Sequence, residues 1–132
     1  MSTFSTLEEA RAFFTGDRFA MHNGMHLDEL TDGGCTVSMD LREEHRNALG
    51  GVMGGVIFTL ADFAFAVASN NDHRSTVALD VNIHFLSGAK GQRLTAKARC
   101  VKSGRTTAVY EITVTDDTER TVALFIGTGY KL

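Results

Sequence analysis

Proline is absent from this chain of 132 residues. Average usage of ~5% would supply several, so the turns must be made by glycine, asparagine and aspartate. Only two cysteines occur, Cys35 and Cys100. They form neither a metal-type nor a redox spacing, and both fall in strand-like segments, as reduced core thiols. There is no basic excess: 13 lysines and arginines stand against 16 aspartates and glutamates, a net charge of −3. That balance argues against non-specific binding to nucleic acid or a membrane surface, which rests on a basic patch. The longest apolar stretch, residues 56–69, falls short of the ~18 residues that suggest a membrane span, and Asp62 interrupts it. The opening residues, MSTFSTLEEARAFF, carry acids where a signal peptide has a basic region followed by an apolar run. A cytoplasmic protein is therefore expected. What the chain does have is an apolar content of 43%, enough for one core, so a single domain over residues 1–132 is expected.

STLEEARAFF reads as a short helix, with Ser5 or Thr6 as its cap and Glu8 and Glu9 in its first turn. FAMHNGMHLDEL and CTVSMDL read as strands on either side of an Asp32-Gly33-Gly34 turn. A polar, glycine-rich connection, REEHRNALGGVMGG, leads into one long helix over residues 55–70. Four strands follow. In STVALDVNIHFL, residues Leu79, Val81, Ile83 and Phe85 share one face, while Asp80, Asn82 and His84 share the other. Turns at Ser103-Gly104 and Asp116-Asp117 separate the later strands. The order predicts an α+β domain with one antiparallel sheet around one dominant helix.

The long helix carries a bulky face of Val56, Leu60, Phe63 and Val67 and a separate small-residue stripe of Ala61, Ala64 and Ala68. Asp62 lies away from the bulky face, beside Phe58, Thr59, Phe65 and Ala66 at helical spacing. A helix that is apolar all round must be covered all round, and no second long helix is on offer. Burial alone thus predicts a homodimer. Four glycines, at positions 50, 51, 54 and 55, precede the helix. They match neither a Walker loop nor a G-x-G-x-x-G turn. They are read either as a tight turn into the helix or as an oxyanion site, with the N–H of Gly54 or Gly55 aimed at a carbonyl oxygen. Gly54 and Asp62 are eight residues apart, roughly 12 Å along a helix. One carbonyl cannot meet both from one helix, but antiparallel helices across a two-fold axis would bring Gly54 of one chain to Asp62 of the other.

The stretch N-x-x-G-x-x-M-G-G-x-I-F-T-L-A-D-F-A-F-A-x-A-S-N, from Asn47 to Asn70, together with DVNIHFLSGA at residues 80–89 and the SGR turn, resembles a known family. It is similar to the hotdog-fold acyl-CoA thioesterases of the phenylacetic-acid-degradation and 4-hydroxybenzoyl-CoA thioesterase group. The resemblance implies a hotdog fold, with a long central helix wrapped by a curved antiparallel sheet. It also implies joined sheets in a dimer, pairing of dimers into tetramers, and sites at the dimer interface. On that basis Asp62 matches the nucleophile or general base, Gly54 the oxyanion-binding N–H, and Asn47 the asparagine that helps hold the thioester or the water. Met53 stands where the family usually has histidine, Ala78 where some relatives carry a serine, and Gly88 where relatives often have proline. Gly55, Met53, Phe58, Phe65 and Ala78 are the expected substrate contacts. Lys90, Lys102 and Arg105 are candidates for the phosphates of coenzyme A.

The expected activity is hydrolysis of an aryl- or acyl-CoA to free acid and CoA, with no metal and no cofactor beyond the CoA of the substrate. A non-catalytic acyl-CoA-binding protein is the first alternative, and Met53 and Ala78 lean toward it. A hotdog hydratase or dehydratase comes third, because no histidine is placed beside Asp62. The remaining histidines carry no site in this reading. His22 and His26 are four apart in a strand-like segment, and His45 and His73 are read as solvated.

Overall fold

The computed structural model describes residues 2–132. Helix α1 (Leu7–Phe14) and helix α2 (Arg18–His22) open the chain, followed by strands β1 (His26–Thr31) and β2 (Gly34–Asp40). A single 3-10 turn, Glu43–His45, precedes the long helix α3 (Gly54–Asp72). Strands β3 (Thr76–Phe85), β4 (Arg93–Ser103), β5 (Thr107–Asp116) and β6 (Thr121–Lys131) complete the chain. Thr6 is the cap of α1, its hydroxyl accepting the Glu9 N–H at 3.1 Å. Residues 19–22, expected as strand, are helical instead: the Met21 N–H reaches Asp17 O at 3.0 Å and the Asn23 N–H reaches Phe19 O at 3.2 Å.

The six strands form one antiparallel sheet in the order β1-β2-β4-β5-β6-β3. Register shifts interrupt four of its five ladders, and such bulges bend and twist strands. The sheet curves around α3, which packs against β2, β3, β4, β5 and β6. This is the hotdog arrangement. Close approach is permitted where β6 carries Gly127: a Cβ there would lie 2.9 Å from the Phe65 ring. Phe65 fills that space and packs edge-on against Tyr110.

Leu60, Phe63 and Val67 are buried as expected, and so are Ala61, Ala64 and Ala68. The chain therefore covers most of the helix circumference. One stripe stays partly open, at steps of three or four residues: Gly55, Thr59, Asp62, Ala66 and Asn70. Strand β3 lies at the edge of the sheet. A register shift falls between Ala78 and Asp80, so the expected alternation breaks there. Val81 and Ile83 are half-buried, while Leu79 is 64% and Phe85 53% exposed. Both cysteines are free, and burial pushes the Cys35 thiol up to about 12.

Candidate active site

The loop before α3 is tied at its base and at its tip. Arg46 bridges to Val52, the Asn47 N–H donates to Gly51 O at 2.7 Å, and the Gly50 N–H returns to Asn47 O at 2.9 Å. Gly50 takes φ 86°, a left-handed conformation that a side chain would oppose. Asn47 itself holds the tip, its Oδ1 accepting the N–H groups of Leu49 at 3.0 Å and Gly51 at 3.1 Å. Its Nδ2 makes no hydrogen bond among the described residues, and the side chain faces solvent.

Met53 is the N-cap of α3 and offers no side-chain cap. Its carbonyl accepts from Val56 at 3.0 Å and from Ile57 at 3.5 Å. The N–H groups of Gly54 and Gly55, the first two of the helix, are left without an internal acceptor, as helix geometry requires. They stand at the positive end of a 19-residue helix, a setting that favours an oxygen gaining negative charge. On one side of this start, Gly54 packs on the Phe85 ring, 3.4 Å from a Cβ built on the glycine. A depression there is lined by Val52, Ile57 and residues 85–89. On the other side lies an apolar depression of ≈ 230 Å³, lined by Phe19, Met25, Met53, Gly55, Val56 and Thr59 among others.

Asp62 follows about two turns along the open stripe. It lines an adjoining depression of ≈ 380 Å³ with Asp17, Arg18, Phe19, Thr59 and Ala66. Phe19 and Thr59 belong to both depressions, so one furrow runs from the helix start past Asp62. The carboxylate is half-buried and accepts no hydrogen bond from the described residues. Its pKa is raised, first by burial and then by the negative charge of Asp17. Burial also raises Asp17.

Within one protomer the expected site residues divide. Asn47, Met53, Gly54 and Gly55 gather at the helix start, and Asp62 stands about 12 Å along the axis. Phe58 is half-buried against Phe125, ring centres 5.4 Å apart. Phe65 is 2% exposed, so it belongs to the core and not to the wall of the furrow. Lys90 follows the 85–89 segment beside Gly54, and its side chain is exposed. Arg105 is far from it: the turn that carries it docks on the other end of α3, through Ser103 to Asp72 at 2.7 Å. Ala78 is exposed on the β3 edge near that same end, where neighbouring Thr76 bonds Asn70. The sequence pattern does not single out Asp17, Arg18 or Phe19: Phe19 opens the segment expected as strand, and Asp17 and Arg18 stand just before it, where α2 begins. It also took His45 for a solvated residue. His45 is 1% exposed and bonds Asn23 of the preceding segment.

A long helix wrapped by one antiparallel sheet defines a hotdog fold, and in this chain the helix carries free N–H groups at its start and an open carboxylate on its flank. Residues 49–123 match the thioesterase superfamily. The chain belongs to that family. It is 33% identical to the acyl-coenzyme A thioesterase PaaI of Escherichia coli, over 95% of this chain and 90% of that one. The structure of the E. coli PaaI protein superposes with a TM-score of 0.89 over 95% of this chain and 91% of the other. A hypothetical thioesterase from Streptococcus pneumoniae, solved with coenzyme A, matches with a TM-score of 0.82 and 26% identity, over 89% and 94% of the two chains.

Proposed function

We propose that this protein is an acyl-CoA thioesterase whose site is completed by a second copy of the chain. The observation that carries the reading is Asp62: a half-buried carboxylate with no hydrogen-bond partner among the described residues, on the same open stripe as the free N–H of Gly55. Uncompensated burial of such a group disfavours its charged form, and a reacting substrate gives it a use. The thioester carbonyl rests against the Gly54 N–H, with the unengaged Nδ2 of Asn47 beside it. Asp62 of the partner chain has two routes. It either takes a proton from a water whose oxygen bonds to the carbonyl carbon, the C–S bond then breaking and the proton passing to the CoA thiolate. Or it attacks that carbon itself, expelling the thiolate and leaving an anhydride that water then opens. Neither route calls for a metal or an organic cofactor.

Two features support the second copy. The stripe along α3 is not covered by its own sheet, and edge strand β3 presents unpaired backbone with exposed Val77 and Leu79. Antiparallel pairing there would also bring the far end of the partner, with Ala78 and Arg105, toward Gly54. Met53, 54% exposed in the furrow, replaces a polar side chain with an apolar one but leaves the backbone donors in place. The apolar depression bounded by Phe19, Met53 and Val56 suits an apolar acyl group. No helix of the described residues is long and apolar enough to cross a membrane, and the cytoplasm is the proposed location.

The test is thiol release from a panel of aryl- and aliphatic acyl-CoAs, with Asp62→Ala and Asp62→Asn as controls. Hydrolysis by the wild type and its loss in both variants is expected. Binding of CoA esters without turnover would identify a non-catalytic binding protein instead. Mixing Asp62→Ala with Asn47→Ala subunits should restore activity, and no recovery in proven heterodimers would place each site within one chain.

A further inference from the structure

His45 is one of the most deeply buried polar side chains of the protein, 1% exposed, yet it sits outside the furrow. Both ring nitrogens are engaged. Nδ1 accepts the N–H of Arg42 at 2.9 Å, and Nε2 lies 3.1 Å from Asn23 Oδ1. The amide of Asn23 has a fixed sense, because its Nδ2 donates to Phe19 O at 2.9 Å. Its Oδ1 is therefore the acceptor, and the imidazole is neutral with its proton on Nε2. The main chain of the same residue also bears on the site: His45 O accepts the N–H of Met53 at 2.9 Å. Arg46, next in sequence, bridges to Val52. Residue 45 is thus the base of the loop that carries Asn47 on one arm and ends at Gly54 on the other.

We propose that His45 is a positioning residue for the thioester site: its imidazole clamps the end of α2 to the base of this loop and holds Asn47 and the Gly54 N–H in register with each other. The proposal rests on the thioesterase reading for its catalytic consequence, but not for the clamp itself. A polar ring buried at such a place is costly unless every donor and acceptor around it is met, and here each is. Removing it orphans the Arg42 N–H and Asn23 Oδ1 at once. The clamp also reaches the opposite wall of the furrow, since Asn23 is bonded to Phe19 of α2. His45 cannot replace the histidine that Met53 displaces, because it is buried and neither nitrogen is free. The charged groups near it are Arg42 and Glu44 of its own turn. Arg42 in turn donates to His22 O at 3.0 Å, and α2 presents the neutral Asn23.

The experiment compares wild type with His45→Ala, His45→Asn and Asn23→Ala, by steady-state kinetics well below each melting temperature and by amide hydrogen exchange. Small displacements of reacting groups cost large factors in rate. His45→Ala and Asn23→Ala should therefore lower kcat roughly 10-fold or more with little change in KM. His45→Asn, which keeps an acceptor for the Arg42 N–H, should recover part of the loss. The Met53 amide should exchange faster in both alanine variants while amides of β5 keep their wild-type protection. Wild-type kcat in a folded His45→Ala protein overturns the proposal, whatever the exchange shows. Should that variant fail to fold, Asn23→Ala decides on the same two readouts, and wild-type values there overturn it. If the wild type hydrolyses no acyl-CoA, the thioesterase reading fails separately. Met53 exchange then decides the clamp alone: acceleration supports it and unchanged protection overturns it.

Discussion

Asp62 works against the fold that displays it. Burial, and after it the charge of Asp17, raise its pKa, so the folded chain holds that proton more tightly than the unfolded chain does. Stability from this group is full below the unfolded value of ~3.9 and is lost as pH rises through the raised folded value. At neutral pH the ionised carboxylate is a net burden. Asp62→Asn should accordingly raise the melting temperature at pH 7 while lowering acyl-CoA hydrolysis by ~10²–10⁴-fold, and a lower melting temperature would mean that the charge is compensated. Asp17→Asn removes the like charge, so the acid limb of the kcat/KM profile should move to lower pH; a limb that stays in place would exclude coupling between the two carboxylates. The place of Asp62 on the open stripe of α3 and of Gly54 at the start of that helix was legible in the sequence, because a carboxylate interrupts an apolar run and glycines cluster just before it. The burial of His45 was not legible. Its neighbours Arg42, Glu43, Glu44 and Arg46 make it look solvated, and the partner that buries it, Asn23, stands 22 residues earlier.

At the scale of elements, α3 and the β-strands were readable since their periods repeat over many residues. Helix α2 has five residues, too few for a 3.6-residue period to show, and its Phe-Ala-Met run has the composition of a strand. The consequence is functional, because α2 supplies Phe19, a 68% exposed aromatic ring that lines both halves of the furrow. An aromatic side chain in contact with an apolar acyl group contributes ~1.5–3 kcal/mol when fully buried. Phe19→Ala should therefore lower kcat/KM roughly 10-fold or more for aryl or medium-chain acyl-CoAs, and less for short acyl groups that do not reach the ring. A uniform loss across the panel would place the acyl group elsewhere. The packing of Phe65 into the space at Gly127 was equally hidden, since a glycine in a strand does not announce which side chain approaches it. Phe65 consequently passed for a site residue when it is core.

The whole molecule is held at one end of the sheet by Asp116. Its carboxylate accepts from the N–H of Lys90 at 2.8 Å, from Thr118 N at 2.9 Å and Oγ1 at 2.6 Å, and from Arg120 N at 3.1 Å. It thereby ties the connection between β3 and β4 to the β5–β6 turn. Burial alone would raise this carboxyl, but the hydrogen bonds outweigh it and hold it at about 2. Its stabilisation is present above ~4 and disappears as pH falls toward 2. Asp116→Ala should cost about 2–3 kcal/mol at pH 7, and urea titrations should show the gap to wild type closing in acid. The opposite demand comes from the β3 edge. Edge β1 is guarded by Asp28 and Glu29, whereas β3 exposes Val77 at 46% and Leu79 at 64%, a surface that invites another strand. If a second copy pairs there, it covers the open stripe of α3 and brings its Asp62 to the first chain's Gly54 in the same step. Val77→Lys with Leu79→Lys places charges on that edge without touching the furrow. Sedimentation should then show wild type as a dimer or larger and the variant as a folded monomer, with hydrolysis lost along with assembly. A monomeric variant that still hydrolyses acyl-CoA would show that one chain holds a complete site and that the 12 Å between Gly54 and Asp62 is bridged within it.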